Sequence, residues 1–324
     1  MTQLDVASRT ITLDDGSTLT PDAVLIASGA RARRLDVPGA GLPGIFTLRS
    51  LDDAERLAAA AGNARRADVV GASFIGMEAA ASLVRRGLEV TVVGPQTTPF
   101  ERILGEEVGR VVQARHAEHG TRFALGRGVT RFAGDSAIQA VELDDGVSLE
   151  ADLVVVGVGV QPATDFVTGV EVDDDGGLPV DEQLRVAPGV WAAGDVARYR
   201  EPHTGRDVRI EHWRLAEQQG RAAARAMAGR GEQFTGVPFF WTQHFDLELG
   251  YAGAGQGWEE LLVVGDLGAG DFTAFYVAQD KLLAACGTQP HEIGAFVELM
   301  RVGALPTVGD LRGRQKADLP RLLA

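Results

Sequence analysis

Cysteine is almost missing from this chain: Cys286 stands alone among 324 residues. A single thiol excludes a disulfide framework, a C-x-x-C redox pair and a four-thiolate zinc or iron–sulfur site. It suits a reduced compartment, so a cytoplasmic protein is expected. Basic residues are also in deficit, 31 against 45 acidic, for a net charge of −14 and a pI near 4.9. That balance argues against nucleic acid or an anionic membrane as partner. No apolar run approaches the roughly 20 residues that cross a bilayer. No basic stretch leading into an apolar core opens the chain, and a soluble, unexported protein is the expectation. Repeats, low-complexity tracts and long linkers are absent as well. The length exceeds one typical domain, so two or three are expected, each with its own core.

What is present centres on Ala67-Asp68-Val69-Val70-Gly71-Ala72-Ser73-Phe74-Ile75-Gly76-Met77-Glu78 and the apolar run behind it. It reads as strand, tight glycine turn and helix. Gly71 lets the chain reverse, Gly76 lets the helix approach the strand, and the free N–H groups at the helix start favour an anion. Ser73 replaces the middle glycine of G-x-G-x-x-G and offers a hydroxyl to a phosphate oxygen. The same pattern also fits an ordinary strand-to-helix turn, but the apolar stretch 88–93 supplies the second strand that a dinucleotide site needs.

In chain order, 4–13 alternates apolar and polar residues up to an Asp14-Asp15-Gly16-Ser17 turn and predicts one arm of a β-hairpin. An apolar strand follows at 23–30, ending in small residues that would let a ligand approach. Ser50 predicts a helix start, with Asp52 and Asp53 in its first turn. The stretch 106–118 predicts an amphipathic helix carrying His116, with His119 just beyond it. This H-x-x-H pair is either a metal-binding pair or part of a solvated helix face. Two further buried strands end at Gly157-Val158-Gly159 and at Gly194-Asp195. Asp195 is either an acceptor for sugar or ribityl hydroxyls or a helix N-cap. Glu211-His212-Trp213 precedes an Ala- and Arg-rich helix. From Val237 aromatic residues gather, and strands with one late helix predict a separate α+β unit in which Met300 fills core.

Four segments in this order and spacing, I-A-S-G (26–29), G-A-S-F-I-G-M-E (71–78), G-V-G-V-Q-P (157–162) and W-A-A-G-D-V (191–196), resemble the two-dinucleotide flavoprotein reductases. With Glu211-His212-Trp213 and Pro238-Phe239-Phe240-Trp241, the chain is similar to the branch of ferredoxin reductases and apoptosis-inducing-factor-like proteins of the pyridine nucleotide-disulfide oxidoreductase superfamily. The resemblance implies an α/β fold with two Rossmann-like dinucleotide-binding domains, the first truncated, plus a C-terminal α+β domain. The divisions it implies are 1–60 and 189–236 for the two segments of the FAD-binding domain, 61–188 for the NAD(P)-binding domain and 237–324 for the C-terminal domain. By the same resemblance Ser28, Gly29, Arg33, Gly194, Asp195, His212, Trp213 and Trp241 lie around FAD. Gly71, Ala72, Ser73, Phe74, Ile75, Gly76, Glu78, Gly159 and Glu211 lie along NAD(P)H.

At the end of the second strand Gln96 stands where an acid often holds the 2′-hydroxyl. With Arg102 nearby in sequence, NADPH is less excluded than usual, although NADH is favoured. Relatives begin with a glycine-rich βαβ unit for FAD, and this chain is expected to lack it. The implied activity is hydride transfer from NADH to flavin, then electron transfer to a ferredoxin or Rieske-type iron–sulfur carrier. A homodimer or a complementing N-terminal chain is the implied assembly. The other class of function left open is a nucleotide-binding chain without flavin activity of its own.

Overall fold

The computed structural model describes residues 1–316 and 319. Its organising sheet is parallel and five-stranded, in the order Ile45–Phe46, Leu153–Val156, Arg66–Val70, Glu89–Gly94, Arg122–Leu125. The inner strands are near-continuous apolar runs because both faces of the sheet are covered. Helices α1 (Leu51–Ala61), α2 (Phe74–Arg85) and α3 (Glu101–Glu118) pack Leu57, Ala80, Leu83 and Val108 against Val69, Val90 and Val92. Opposite them, a three-stranded antiparallel sheet (Val129–Ala133, Ala140–Leu143, Ser148–Glu150) buries Phe132, Val141 and Leu143 against Val70, Val93 and Val154. Helix α1 starts where Ser50 predicts, through a reciprocal capping box with Asp53. The strand Ile45–Phe46 and α1 thus join the sheet and core of this unit, although the strand and all but the last residue of α1 precede residue 61. Helix α3 begins at Glu101, five residues before the predicted start, and bends at Gly105, whose φ is +79°.

A second unit pairs Val24–Ile26 in parallel with Val190–Ala192, which pairs with Arg185–Ala187. The single arm expected over 4–13 is two strands, Gln3–Asp5 and Thr10–Thr12, folded antiparallel with Leu4 opposite Ile11. A turn hides inside the alternation: the Asp5 carboxylate accepts the Ser8 N–H, and Arg9 takes a φ of +56°. Helix α4 (Trp213–Met227) covers this unit, laying Leu215 and Ala223 in one core with Trp191 and Tyr199.

The third unit is a five-stranded antiparallel sheet in the order Phe239–His244, Leu247–Gly253, Lys281–Gly287, Asp271–Ala278, Glu260–Asp266. Helix α5 (Pro290–Val302) covers one face with Ile293 and Phe296, and Met300 is buried as core. The other face is not separate from the rest of the molecule. Leu249, Tyr251, Phe272, Tyr276 and Cys286 belong to the same apolar core as α2 and α3. Burial pushes the Cys286 thiol up to about 12, leaving it an inert core residue.

Candidate functional site

At the end of the Arg66–Val70 strand Gly71 has a φ of +113°, and a β-carbon there would run into the Gly157 carbonyl. A β-carbon at Gly76 would run into the Gly71 carbonyl. Both glycines are therefore demanded by the close approach of helix and strands at this turn. Ser73 is the N-cap residue of α2 but makes no capping bond; its hydroxyl donates to the Gly157 carbonyl at 3.2 Å. The first N–H groups of α2 lack partners within the helix, as at any helix start.

Beyond this turn lies a cavity of about 740 Å³, within the range of cofactor sites. The start of α2 lines it with Phe74, Ile75 and Glu78, and α3 lines it with Arg102. The segment before α4 contributes Glu211, His212 and Trp213, and the first strand of the third unit contributes Phe240 and Trp241. Eight of the residues expected from the sequence converge here, from elements up to 167 positions apart. Trp213 and Trp241 are 61% and 42% exposed and meet edge to face at 6.0 Å, so two large apolar rings stand open to the cavity. Phe240 stacks on Tyr251 at 4.9 Å and meets Phe74 edge-on at the same distance. His212 caps α4, its Nδ1 accepting the Arg214 N–H at 3.4 Å. Burial, then the Arg214 charge, lowers its pKa and keeps that nitrogen free to accept.

A second cluster forms at the carboxyl ends of the Val24–Ile26 and Val190–Ala192 strands. Ser28 and Gly29 end the first, and Gly194 and Asp195 follow the second; both glycines have positive φ, +66° and +80°. Asp195 is not an N-cap. It sits within a short 3-10 turn, Gly194–Val196, whose N-cap is Ala193, and its carboxylate accepts from Arg49 Nη2 at 2.7 Å. The Ser28 hydroxyl donates to the Ala163 carbonyl at 2.7 Å, and the Gly194 N–H donates to Gln219 Oε1 at 2.8 Å. Arg33 donates through its backbone N–H to the Gly159 carbonyl and through Nε to that of Val160. Arg209 joins cluster and cavity, donating to the Asp195 carbonyl and pairing with Glu211 at 2.6 Å. Gln96 lies apart from the cavity with Oε1 buried beside Gly94, and that oxygen has no hydrogen-bond partner among the described residues.

Arg49, Arg209, Phe240 and Thr242, whose hydroxyl donates to Glu78 Oε1 at 2.6 Å, were not foreseen as site residues. Arg49 immediately precedes the Ser50 cap, but nothing in its spacing links it to Asp195, 146 positions away. His116 departs from the solvated-face reading of the H-x-x-H pair, its side chain being fully buried, whereas His119 is exposed as that reading has it; no His/Cys/Asp/Glu group suited to a metal ion occurs among the described residues.

Residues 1–220 match the pyridine nucleotide-disulphide oxidoreductase family, and residues 239–317 match the reductase C-terminal domain. The chain belongs to the pyridine nucleotide-disulphide oxidoreductase family. Within it, the chain is 36% identical over 318 residues to the ferredoxin–NAD(+) reductase component of the anthranilate 1,2-dioxygenase system of Burkholderia cepacia, covering 94% of this chain and 77% of that protein. It is 36% identical to mouse apoptosis-inducing factor 3 over 87% of its own length but spans only about half, 47%, of that relative. The ferredoxin reductase of the CYP199A2 system from Rhodopseudomonas palustris superposes with a TM-score of 0.92 at 30% identity, over 100% of this chain and 81% of that one. A putidaredoxin reductase in covalent complex with putidaredoxin superposes with a TM-score of 0.91 at 28% identity, over 99% of this chain and 79% of that one.

Proposed function

We propose that this family member is an NAD(P)H-dependent flavoprotein oxidoreductase of ferredoxin-reductase type. One observation carries the proposal: the helix that follows the Gly71 turn brings Phe74, Ile75 and Glu78 to the same cavity that two exposed indoles, Trp213 and Trp241, line. The residues present suit the two cofactors. The turn closes only because its two tightest positions lack a β-carbon, and the α2 N–H groups that it presents would offer donors to a pyrophosphate. Phe74, Ile75 and Glu78 would hold the nicotinamide end of NADH, with Glu211 further along it. His212, Trp213 and Trp241 would border the isoalloxazine, and Ser28, Gly29, Arg33, Gly194 and Asp195 would hold the remainder of FAD beside the Arg49 cation. Bound flavin supplies the change from two-electron hydride chemistry to one-electron transfer. The chain's own part is placement: the indole and phenyl rings would shield the bound cofactor rings from water, and Arg209 ties the Asp195 and Glu211 segments together.

The acceptor we favour is a one-electron iron–sulfur protein, a ferredoxin or Rieske-type carrier, in line with the names of the bacterial relatives. NADH is the favoured donor, and the cytoplasm the favoured location. A second reading, an NAD(H)-binding chain without independent flavin activity, is favoured by the Asp195 carboxylate being already paired with Arg49. The two separate in one preparation: the full chain is incubated with FAD, gel-filtered, and mixed with NADH under anaerobic conditions. Retained yellow colour that NADH bleaches supports the first reading. A colourless protein that still binds NADH supports the second.

A further inference from the structure

Beneath the cavity runs a continuous chain of buried polar groups that the binding of cofactors does not by itself require. Thr242 Oγ1 lies 2.6 Å from Glu78 Oε1 and 3.0 Å from His244 Nε2. His244 Nδ1 lies 3.1 Å from His116 Nε2, and His116 Nδ1 lies 3.4 Å from Thr121 Oγ1. Thr242, His244, His116 and Thr121 are all buried, whereas Glu78 is exposed in the cavity. Thr242 and His244 are two residues apart on one strand and so share its inward face, while His116 reaches them from the last turn of α3.

Donor and acceptor chemistry gives this chain one direction. A carboxylate only accepts, so the Thr242 hydroxyl donates to Glu78 and must itself accept from His244. His244 therefore carries its proton on Nε2, leaving Nδ1 to accept from His116 Nε2–H, and His116 Nδ1 is left to accept from Thr121. Both imidazoles are neutral Nε2–H tautomers. Burial holds them neutral, with pKa values lowered to about 4 for His244 and about 3 for His116. Phe100 and Phe245 flank the pair at 5.4 and 5.0 Å. The charged groups on the surrounding elements are engaged elsewhere: Arg85 of α2 donates to the Phe245 carbonyl, Arg115 of α3 pairs with Asp246 and Glu118, and His119 bonds the Arg115 carbonyl.

We propose that His116 and His244 are positioning residues which, through Thr242, lock one oxygen of the Glu78 carboxylate and so aim the other at the carboxamide N–H₂ of the nicotinamide. The proposal rests on the cavity being a dinucleotide site and adds what selects the amide there. A carboxylate held in this way accepts from an amide and repels a carboxylate in the same place, so the chain discriminates between NAD⁺ and its nicotinic acid counterpart, deamido-NAD⁺.

The test is calorimetric titration of the full chain with each dinucleotide, together with histidine nitrogen NMR of the native protein. The native chain should favour NAD⁺ by roughly tenfold to a hundredfold. Thr242→Val, which keeps the shape and removes the hydroxyl, should cut that ratio to a few-fold, and Thr242→Ser should restore it. Both buried histidines should show the Nε2–H pattern from pH 7.5 to 5.5. Native binding with an unchanged ratio in Thr242→Val overturns the positioning role and leaves the cavity assignment standing. No binding of either dinucleotide by the native chain overturns the cavity assignment and the role with it. If Thr242→Val does not fold, an Nδ1–H tautomer at His244 or His116, or titration of either ring within that pH range, overturns the role on the native protein alone.

Discussion

Asp68 offers the most direct test of how burial governs this protein. It lies in the Arg66–Val70 strand, 2% exposed, with one carboxylate oxygen unpartnered among the described residues. Burial raises its pKa from 3.8 to about 7, against the opposing hydrogen bond from Thr91. The native state thus holds this proton more tightly than the unfolded chain does, so Asp68 costs nothing at low pH and costs progressively more as pH rises from about 4 through about 7. His116 and His244 act in the opposite sense. Their native pKa values lie below 6.5, at about 3 and about 4, so stability is complete above pH 6.5 and is lost as pH falls below it.

At 1.36 kcal/mol per unit, moving from pH 7.5 to 5.5 costs about 3 kcal/mol through the two histidines and returns about 2 kcal/mol through Asp68, a net loss of about 1 kcal/mol. Asp68→Asn removes the compensating carboxylate. The variant should be more stable than the native chain by about 4 kcal/mol at pH 7.5, and its own loss on acidification should grow to about 3 kcal/mol. Urea unfolding at the two pH values, followed by far-ultraviolet circular dichroism and tryptophan fluorescence, reads both quantities. A variant that gains nothing at pH 7.5, or whose loss on acidification matches the native one, would refute the reasoning that burial controls these three groups.

Two further outcomes concern the nucleotide. Gly71→Ala places a β-carbon against the Gly157 carbonyl at a φ of +113°; strain of about 1–3 kcal/mol should weaken NADH binding roughly tenfold to a hundredfold in calorimetric titration, and native affinity in this variant would show that the turn does not bear on the dinucleotide. Gln96→Glu should shift preference toward NADH by roughly tenfold to a hundredfold, since a carboxylate there accepts from a 2′-hydroxyl and repels a 2′-phosphate. An unchanged ratio of NADH to NADPH affinities would place Gln96 away from the ribose, as its buried Oε1 beside Gly94 would then suggest.

By itself the sequence determined whatever depends on neighbours along the chain. Gly71 and Gly76 announced a strand-to-helix turn because only glycine tolerates that backbone and that approach. The Val-rich strands declared buried parallel strands, and Ser50 with Asp52 and Asp53 in the first turn marked a helix start that the structure reproduces. Local pattern failed where a turn preserved the alternation, as at 6–9, and where burial depended on a distant element. His116 sits on a helix whose own sequence describes a solvated face. It is buried because the third unit closes over α3 and sets His244 against it, 128 positions away. The same docking brought Thr242 to Glu78, while folding of the first segment onto the second brought Arg49 to Asp195, and no spacing rule reaches across such separations. Periodicity records which face of an element is apolar; what covers that face, and which polar groups are sealed in with it, was decided by packing among segments far apart in the chain.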